Sequence, residues 1–470
     1  MRKTKIVCTV GPACDSEETF EAMCRAGMNV ARLNFSHGSH EDYEKKIQKL
    51  KNVRERLKYP LAIMLDTKGP EYRIRTFKNG KITLNDGDEF TFTAKEIAGD
   101  QKRVSVSYPH LGKELEIGDK VLLNNGLMIF TVTKISGDDV VCRVDAGGVL
   151  SDRKSMSFPG KVLKQVYLSE QDKKDILFGV KHGVDYIACS FVSCRRDLAD
   201  VKAYLKEIGG EGIDLIAKIE NRAGVENIEE ICAECEGIMI GRGDMGVEIP
   251  YEELPAIQKG LITKCRLLGK RVITATEMLE SMISNPRPTR AEISDVANAV
   301  YDGTSATMLS GETAAGKYPV QAVAAMARIA EYTEREIDYL GRFDRSAFRI
   351  KNTVDAISHA TCGMANDVEA KAIVVNTLSG KTARMVSRFR PAADIVAYTT
   401  SERTWRKLAL SWGVTPRLSP VFKGVSEMFA ATAEETKKLL NLKKGDKIVL
   451  TGGLTDGTSG NTDLVKIQTV

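Results

Sequence analysis

The sequence predicts an α/β protein in which a (β/α)8 TIM barrel is interrupted by an all-β lid domain and followed by a second α/β domain. Eight short apolar segments alternate with amphipathic helical patterns, which is typical of a parallel barrel. The stretch from 70 to 160 differs, because short alternating strands there are separated by Asn-Gly, Asp-Gly and Gly-Gly turns. From about residue 343 the strand–helix alternation restarts. The predicted boundaries are 1–69 and 161–342 for the barrel, 70–160 for the lid and 343–470 for the C-terminal domain.

The barrel prediction depends on eight strand-like segments. They are Thr4–Val10, Val30–Ser36, Leu61–Thr67, Tyr186–Phe191, Asp214–Glu220, Gly237–Gly243, Val272–Met278 and Ala306–Glu312. Helical patterns separate them, including Glu17–Ala26, Gln171–His182, Asp197–Ile208 and Leu254–Leu268. Without the insertion and the C-terminal domain, roughly 250 residues remain, which is the usual size of this fold.

The insertion follows the third predicted strand, on the end of the barrel where parallel strands carry their sites. Its predicted strands are Lys81–Leu84, Glu89–Thr93, Arg103–Ser107, Lys120–Leu123, Met128–Ile135 and Val140–Val144. They indicate a small barrel or sandwich that packs independently. A module in this place is suited to close over a reaction as a lid and to exclude water.

The C-terminal region repeats the alternation of helices and strands with its own set of segments. Its predicted helices are Thr353–Ala365, Lys381–Phe389, Arg403–Trp412 and Ser426–Leu440. Its predicted strands are Ala372–Thr377, Asp394–Thr399, Val414–Leu418 and Lys447–Thr451. This pattern predicts a separate α/β domain.

The composition is that of an ordinary soluble globular chain and argues against several classes of protein. Of the 470 residues, 43% are apolar and 28% are charged, and the net charge of +5 is spread along the chain, which predicts no nucleic-acid partner. No apolar stretch approaches the roughly 20 residues that span a bilayer, so no membrane association is expected. Gly11-Pro12 interrupts the first apolar run, which argues against a signal peptide. The ten cysteines lie scattered in apolar segments, as reduced thiols of a cytoplasmic protein do.

Polar residues follow the predicted strands at the ends where parallel strands carry their chemistry. The fifth strand ends in Lys218 and Glu220, and the sixth is followed by Arg242 and Asp244. Two carboxylates from neighbouring strands suit a hard cation such as Mg2+, and a lysine beside them can stabilise a phosphoryl group or an enolate. For any one pair alone, a strand-end salt bridge on a solvated rim is the better explanation.

Six strand ends are polar in this way, and their convergence predicts a reaction site. The other four contribute Arg32, Asn34, Ser36 and His37; Asp66, Thr67, Lys68, Glu71 and Arg73; Thr276 and Glu277; and Ser310 and Glu312. Cations facing metal-binding carboxylates are what phosphoryl transfer requires, because that reaction depends on positioning and charge neutralisation.

Two motif matches carry little weight. The segment Gly311–Tyr318 nearly spells a phosphate-binding P-loop, but Tyr318 stands where a Ser or Thr hydroxyl should bind Mg2+. Cys232-Ala-Glu-Cys235 is a lone CxxC without a second pair, so neither zinc binding nor redox chemistry is expected there.

Several stretches together carry a resemblance to a known family. They are Lys5–Pro12, Arg32–Gly38, Leu65–Glu71, Lys218–Asn221, Arg242–Pro250, Asn285–Glu292, Asp295–Ala299 and Met308–Thr313. In these motifs, and over nearly its whole length, the chain resembles the pyruvate kinases. The resemblance implies transfer of the phosphoryl group of phosphoenolpyruvate to ADP, giving ATP and pyruvate, with Mg2+ (or Mn2+) and K+ as cofactors. It also implies a cytoplasmic homotetramer whose C-terminal domain is regulatory.

The resemblance implies a role for each matching residue. Catalytic roles fall to Lys218, Thr276, Arg32 and Ser310, and substrate binding falls to Arg32, Lys218, Gly243, Asp244 and Thr276. Glu220 and Asp244 match the Mg2+ ligands, Asn34, Ser36, Asp66 and Thr67 match the K+ ligands, and Asn34, His37 and Arg73 match the nucleotide contacts. Glu71 matches the position where potassium-dependent members carry Glu and potassium-independent members carry Lys.

An effector site is expected where the strand ending at Thr377 leads into a helix. The loop contains Thr377, Ser379, Gly380, Lys381 and Thr382. Hydroxyls, a glycine and a lysine at a helix N-terminus favour an anion, although a plain helix cap made by Ser379 is by itself the simpler explanation. The loop also matches the family's effector phosphate pocket. This match implies a sugar phosphate, first of all fructose 1,6-bisphosphate, with the loop 452–460 closing over it.

The chain departs from the family pattern at four places. Ser193-Cys194 stand where basic residues are usual, and the basic pair Arg195-Arg196 comes later. Glu277 replaces a usual Gln, Ile74 a common Thr, and Ser305 a frequent Asp. None of these positions belongs to the predicted metal pair.

Two other functions stay open from the residues alone. A metal-dependent lyase or aldolase would also hold Mg2+ on a Glu and an Asp and stabilise pyruvate enolate, without a nucleotide. A binding or scaffold protein could keep the fold and lose the chemistry. The lid and the potassium-type ligands favour a kinase over the lyase. The complete set of Lys218, Glu220, Asp244 and Thr276 argues against the scaffold.

Overall fold

Three parallel strands begin the chain, and a helix separates each from the next. The computed structural model describes residues 1–36, 38–453 and 462–470. The first elements are β1 (Lys5–Thr9), α1 (Glu17–Ala26), β2 (Val30–Asn34), α2 (His40–Leu57) and β3 (Ala62–Asp66), with a short 3-10 helix at Pro12–Cys14. Ser39 caps α2 by accepting a hydrogen bond from the Asp42 amide, and Ile47, Leu50 and Val53 bury one face of the helix.

The inserted module is all-β apart from one short helix. It contains β4 (Tyr72–Arg73), β5 (Lys81–Leu84), β6 (Glu89–Thr93), β7 (Arg103–Ser105), α3 (Leu111–Glu114), β8 (Lys120–Leu123), β9 (Met128–Ser136), β10 (Asp139–Ala146), β11 (Gly148–Ser151) and β12 (Ser155–Ser157). Seven strands form one sheet in the order β4-β12-β8-β9-β10-β6-β7, and β11 pairs with β5. A bridge between Ile74 and Val106 joins the chain just beyond the two edge strands, so the sheet closes on itself as a small barrel. Phe90, Phe92 and Phe130 pack edge to face in its own core.

The chain then returns to complete the large barrel with five more strands. The elements are α4 (Glu170–His182), β13 (Tyr186–Cys189), α5 (Arg195–Glu207), β14 (Asp214–Ile219), α6 (Arg222–Glu226), α7 (Ile228–Ala233), β15 (Gly237–Gly241), α8 (Arg242–Glu248), α9 (Leu254–Leu267), β16 (Arg271–Ala275), a 3-10 helix at Glu280–Ile283, α10 (Arg290–Asp302), β17 (Ala306–Leu309), α11 (Gly311–Ala314), α12 (Pro319–Arg335) and α13 (Tyr339–Asp344). All eight strands run parallel and close in the order β1-β17-β16-β15-β14-β13-β3-β2, which confirms the predicted barrel. The strands β3 and β13 are neighbours although the inserted module lies between them in the chain.

The C-terminal domain is a five-stranded sheet with helices packed against it. Its elements are α14 (Thr353–Asp367), β18 (Ala372–Asn376), α15 (Lys381–Arg388), β19 (Asp394–Thr399), α16 (Glu402–Lys407), a 3-10 helix at Leu408–Leu410, β20 (Val414–Leu418), α17 (Val425–Leu440), β21 (Lys447–Gly453) and β22 (Thr462–Thr469). The order is β20-β19-β18-β21-β22, with β22 antiparallel to β21. Apart from β22, the predicted α/β alternation is confirmed.

The N-terminal ends of the barrel strands face the C-terminal domain. At the start of β1, Lys5 Nζ donates to the Val414 carbonyl at 2.7 Å. At the start of β16, Arg271 pairs with Asp214 at 2.8 Å, and Lys407 of the C-terminal domain pairs with the same carboxylate at 2.6 Å. This end of the barrel is therefore an interface between domains. The opposite end, where the strands finish, carries the inserted module and the polar residues.

Several predicted boundaries are wrong by a few residues, and the reason is the same in each case. The sixth barrel strand was predicted to reach Gly243, but it ends at Gly241 because α8 begins directly at Arg242. The predicted helix Arg403–Trp412 ends at Lys407 and continues as a 3-10 turn. Tertiary contacts, which a sequence pattern does not encode, decide where an element stops.

Two further findings concern the chain as a whole. Within the described residues, no helix combines the length and the apolar character needed to cross a membrane. All ten cysteines carry free thiols, and nine of them are buried. Both cysteines of the CxxC pair are among the buried ones, and the Cys232 Sγ lies 3.6 Å from Cys265 Sγ in the core.

Candidate active site

Four charged side chains meet where β2, β3 and β14 end. Arg32 Nε donates to Asp66 Oδ2 at 2.5 Å, and Lys218 Nζ lies 3.2 Å from Asp66 Oδ1. The Lys218 ammonium also lies 3.1 Å from Glu220 Oε1. All four residues are buried, the most exposed at 9%. They form one buried network. They are therefore not isolated salt bridges on a solvent-exposed rim.

Ser190 completes this network, although it was not among the predicted site residues. Its hydroxyl accepts a hydrogen bond from Lys218 Nζ at 2.7 Å and donates to the Thr67 carbonyl at 2.6 Å. Thr9 plays a similar part, because its hydroxyl accepts from Arg32 Nη1 at 2.9 Å. The only sequence signal for either residue was a hydroxyl at the end of a predicted strand.

The attraction between these groups keeps two of them charged despite burial. Burial alone would raise the pKa of Asp66, but Arg32 and Lys218 hold that pKa below its ordinary value. Burial alone would lower the pKa of Lys218, but Asp66 and Glu220 hold that pKa above its ordinary value. Glu220 differs, because burial and the nearby Asp244 outweigh Lys218 and raise its pKa to about 7. Negative charge near Glu220 is therefore incompletely neutralised by the protein.

Glu220 and Asp244 together fit a divalent cation. They follow the ends of the neighbouring strands β14 and β15, and the Phe191 amide orients Glu220 Oε2 at 2.8 Å. The described ranges contain no group of three or more His, Cys, Asp or Glu side chains that would enclose a metal. A cation on this pair would take its remaining ligands from substrate and water, as Mg2+ commonly does. Hard carboxylate oxygens and unneutralised negative charge both suit that ion.

A second group of predicted residues lies where β15 and β16 end. Thr276 Oγ1 accepts a hydrogen bond from the Gly243 amide at 2.8 Å. The backbone of Thr276 has a φ of 69°, which is strained for a β-branched residue. Arg242 holds this turn, because its Nη2 donates to the Thr276 carbonyl at 2.5 Å while its Nη1 pairs with Asp295 at 2.8 Å. The hydrogen bonds from Arg242 and Gly243 hold this strained turn and fix the threonine hydroxyl beside Gly243.

A cleft that is open to solvent separates the inserted module from the barrel. Asp244 and Asn221 line it on the barrel side, and Glu71 lines it on the module side. Arg73, a predicted nucleotide contact on β4, is held by Glu71, with Nη2 and Oε1 2.5 Å apart. The cleft therefore connects Asp244, one of the two predicted metal ligands, with the module.

The predicted potassium ligands lie together at the ends of β2 and β3. Asp66 pairs in register with Asn34, and Thr67 follows it directly. Asn34 Oδ1 accepts from the Ser36 amide at 3.3 Å, and Thr67 Oγ1 donates to the Ala188 carbonyl at 3.3 Å. Both Asp66 oxygens already face Arg32 or Lys218, so this carboxylate is shared between sites. The predicted nucleotide contact His37 lies outside the described residues.

The residues that follow β17, the eighth barrel strand, stabilise the neighbouring loops as well as lining the candidate site. Glu312 is fully buried, and its two oxygens accept from the Leu279 amide at 3.0 Å and the Ser310 amide at 2.6 Å. Its role is to tie the loop after β16 to the end of β17. The Ser310 hydroxyl is buried and makes no hydrogen bond within the described part of the chain, so it remains available to a ligand or water.

Comparison with known families identifies the relatives of this fold and site. The pyruvate kinase barrel domain family matches residues 1–323, and the pyruvate kinase alpha/beta domain family matches residues 355–468. The chain belongs to the pyruvate kinase family.

Individual relatives agree with this membership over the full chain. A pyruvate kinase of Clostridium acetobutylicum is 45% identical, and the match covers 100% of both chains. A pyruvate kinase of Geobacillus stearothermophilus is 44% identical over 100% of this chain and 80% of the relative. Among solved structures, a pyruvate kinase from Cryptosporidium parvum superposes with a TM-score of 0.94 at 37% identity, covering 100% of this chain and 96% of the other.

One departure from the pyruvate kinase pattern lies beside the cleft. Cys194, which stands where the family usually has a basic residue, caps α5 and lines the cleft with Ser193. Arg195, the next residue along the chain, does not supply the missing positive charge to the cleft, because its Nη2 pairs with Glu234 at 2.6 Å. This chain thus has hydroxyl and thiol groups where basic residues are usual in the family.

The predicted effector loop lies between β18 and α15. The residue that caps α15 is Gly380, with φ of 78° and no side-chain hydrogen bond to the helix, so the simple cap by Ser379 is wrong. Thr377 Oγ1 accepts from the Gly380 amide at 3.1 Å, and Thr382 hydrogen-bonds to Thr462 at the start of β22. The loop 452–460 was predicted to close over an effector. Of this loop the structure describes only Gly452 and Gly453, and residues 454–460 lie outside the described residues.

Proposed function

We propose that this chain transfers the phosphoryl group of phosphoenolpyruvate to ADP, giving ATP and pyruvate. The observation that carries the proposal is the buried network of Arg32, Asp66, Lys218 and Glu220 at the C-terminal ends of the barrel strands. Family membership supplies the substrate class. The network supports the chemistry, because two fixed cations face the carboxylates that suit a metal.

In the proposed reaction each residue acts by position and charge. Arg32, fixed by Asp66 and Thr9, grips the phosphate of phosphoenolpyruvate. Lys218 keeps its charge and stabilises the phosphoryl group during transfer. Thr276 lies beside the carbon that gains a proton when the enolate becomes pyruvate, with Gly243 and Ser310 lining the same site. The hydrogen bonds from Arg242 and Gly243 keep the Thr276 hydroxyl in place for that step.

The cofactors are part of the proposal. Glu220 and Asp244 would hold Mg2+ or Mn2+, which when bound supplies charge stabilisation to the substrate oxygens. Asn34, Ser36, Asp66 and Thr67 would hold K+ through oxygen atoms. The nucleotide would bind through Asn34, His37 and Arg73.

The proposal extends to the domains and the assembly. Residues 1–69 and 161–342 form the catalytic barrel, 70–160 the lid, and 343–470 a regulatory domain. A sugar phosphate, fructose 1,6-bisphosphate first of all, would bind at Thr377–Thr382, and the active form would be a homotetramer. The cytoplasm is the proposed compartment, because ten free thiols fit a reducing environment.

A coupled assay tests the function directly. Pyruvate formed from phosphoenolpyruvate is measured through NADH oxidation by lactate dehydrogenase, with and without ADP. The kinase requires ADP, whereas a lyase or aldolase that releases pyruvate does not. Glu220→Gln should lose at least about 100-fold in kcat, as removal of a charge-stabilising group does. The exposed Glu229→Gln is the control, and pyruvate formation independent of ADP would overturn the proposal.

A further inference from the structure

Two stretches of chain join the inserted module to the barrel. On the outgoing stretch, the Gly69 amide donates to Asp172 Oδ1 of the barrel helix α4 at 3.2 Å. Further along, the Arg73 amide donates to the Ser107 hydroxyl of the module at 2.9 Å. Each of these hydrogen bonds fixes the chain to one of the two bodies. The outgoing hinge is therefore limited to residues 70–72, which lie between them.

The returning stretch is fixed in the same way. The Lys164 amide donates to Glu114 Oε2 of the module at 2.6 Å. The buried Tyr167 donates through its hydroxyl to the Ser190 carbonyl of the barrel at 2.8 Å. The returning hinge is therefore limited to residues 165–166. Two short hinges between packed bodies allow the angle between the bodies to change.

The last turn of the barrel helix α8 contacts the module. The Glu248 carboxylate accepts a hydrogen bond from the amide of Phe158, which follows the last module strand, β12. The Phe158 ring packs edge to face against Tyr72 with centroids 5.4 Å apart, and Tyr72 lies close enough to Glu248 for electrostatic interaction. A Cβ placed on Gly126, in the turn before β9, would lie 3.5 Å from Val247 Cγ1. The end of α8 therefore meets the module at two of its residues.

The first turn of the same helix carries Asp244, one of the two predicted metal ligands. Asp244 and Glu248 are four residues apart, so they lie one turn apart on the same side of α8. Burial, and after it the charge of Asp244, raise the pKa of Glu248 to about 7, so the two carboxylates are near each other. Both also line the cleft between the barrel and the module. The helix therefore joins the predicted metal site to the module.

We propose that Glu248 is a positioning residue that fixes the angle of the inserted module over the barrel. Its hydrogen bond from Phe158 lies on the module side of the returning hinge, so it resists rotation about that hinge. This contact affects the nucleotide most, because Arg73, a proposed nucleotide contact, belongs to the module. Phosphoenolpyruvate is affected less, because its proposed partners Arg32 and Lys218 belong to the barrel. The inference deepens the proposed function and rests on it for the identity of these substrates.

Limited digestion with trypsin measures the opening of the returning hinge and needs no enzymatic activity. The Lys164–Gln165 bond lies directly at this hinge, and Lys164 is exposed. Glu248→Ala removes the acceptor of the Phe158 amide. Cleavage after Lys164, followed by mass spectrometry, should then be at least about fivefold faster, the effect of losing one hydrogen bond to a charged group. Glu248→Gln keeps an oxygen acceptor and should restore the wild-type rate.

Two controls separate the opening of the hinge from a general loss of stability. Glu252→Ala removes an exposed carboxylate four residues further along the chain, and this variant should be cleaved as the wild type is. In Glu248→Ala, cleavage after the exposed Lys444 of the C-terminal domain should keep its wild-type rate. The proposal is overturned if Glu248→Ala is cleaved after Lys164 at the wild-type rate. It is also overturned if cleavage accelerates equally after both lysines.

Steady-state kinetics in the lactate-dehydrogenase assay tests the effect on the two substrates. In Glu248→Ala the KM for ADP should rise at least about fivefold and the KM for phosphoenolpyruvate less than about twofold, and Glu248→Gln should restore both values. Equal rises in the two KM values would contradict the proposal, because general damage to the site produces them. If the wild type forms no pyruvate with ADP, the proposed function fails, while the digestion still decides whether Glu248 holds the module.

Discussion

Lys218 is held by three oxygen atoms, and each belongs to a different residue. The acceptors are the Ser190 hydroxyl at 2.7 Å, Glu220 at 3.1 Å and Asp66 at 3.2 Å. A charge held so firmly needs no rearrangement when negative charge develops in the transition state. We therefore propose that the charge of Lys218 contributes more to stabilising the transferring group than to binding the substrate.

The first prediction separates those two roles of Lys218. Lys218→Met should lower kcat by about 100-fold or more, because the lost interaction is strongest in the transition state. The KM for phosphoenolpyruvate should change far less. Steady-state kinetics in the lactate-dehydrogenase assay measures both values. A rise in KM as large as the fall in kcat would instead make this lysine a ground-state anchor.

The second prediction concerns the monovalent cation. Glu71 lines the cleft and pairs with Arg73 at 2.5 Å. Glu71→Lys should partly relieve a requirement for K+, since the new ammonium supplies the missing positive charge. Activity is measured against K+ with tetramethylammonium as the balancing ion. Full activity of the wild type without K+ and Na+ would contradict this prediction.

For single residues of the candidate site, the sequence predicted which side chains are present but not which other side chains they contact. Arg32, Asp66, Lys218 and Glu220 stood at the ends of predicted strands, so their convergence followed from the fold. Ser190 was missed, because a serine at the end of a strand is common and its value lies in contacts from distant residues. The sequence also did not indicate that Asp66 pairs with both Arg32 and Lys218, because such contacts depend on distances of a few ångströms.

Strand β15 shows how an element can control a neighbour's side chain. A Cβ placed on Gly241 would lie 2.6 Å from Glu220 Cγ and 2.8 Å from its Oε1. The end of β15 therefore has to be glycine if Glu220 is to point toward Asp244. Both strands are buried at this point, so neither backbone can move away.

The third prediction follows from that close approach. Gly241→Ala should displace Glu220 and lower kcat by about tenfold or more, because misplacement of a ligand by a fraction of an ångström weakens catalysis. The apparent affinity for Mg2+ should fall with it. Gly260, in helix α9, has nothing within 4 Å of its added Cβ, so Gly260→Ala is the matched control. Wild-type Mg2+ dependence in Gly241→Ala would show that Glu220 tolerates the methyl group.

Element boundaries divided into those that local sequence determines and those that it does not. The strands β5, β6, β8, β19 and β20 lie where their alternation and turn residues predicted them. The short strands β4, β11 and β12, of two, four and three residues, were missed. The antiparallel edge strand β22 was missed as well, because its polar residues gain order from pairing with β21.

The whole molecule depends on an interface of buried charge between the barrel and the C-terminal domain. Lys5 is 6% exposed and donates to the Val414 carbonyl across this interface. Burial lowers its pKa from 10.5 to about 7, and Arg2 and Lys3 add to the effect more than Glu334 and Asp394 oppose it. The folded state therefore binds this proton less tightly than the unfolded chain.

The fourth prediction concerns the pH dependence of that interface. Between pH 7 and 10.5 the unfolded chain holds the Lys5 proton and the folded chain does not, so stability rises with pH. The slope from this group is at most about 1.4 kcal/mol per pH unit. Lys5→Met removes the group, so the variant should lose that rise relative to the wild type. Urea unfolding between pH 7 and 9.5 measures it, with the exposed Lys444→Met as control. Parallel pH profiles of wild type and Lys5→Met would contradict the prediction.

The fifth prediction concerns communication across the same interface. If a sugar phosphate binds at the loop before α15, its effect must pass from the C-terminal domain to the barrel by a change between domains or subunits. Fructose 1,6-bisphosphate should lower the apparent KM for phosphoenolpyruvate. Ser379→Ala with Lys381→Ala should abolish that response and keep the activity seen without effector, and the exposed Lys423→Ala should respond normally. Hyperbolic kinetics unmoved by any sugar phosphate or AMP would leave the loop without a regulatory role.

The pairing of β1 with β17 also governs how the chain folds as it is synthesised. Lys5 pairs with Ala306, so the first strand waits for a partner made about 300 residues later. At ribosomal speeds of about 5–20 residues per second, that wait is roughly 15–60 s. The inserted module, with its own core, can fold during this time, while the open edges of β1 and β3 stay exposed to other chains. Until the barrel closes, these unpaired edges are the part of the nascent chain most exposed to pairing with other chains.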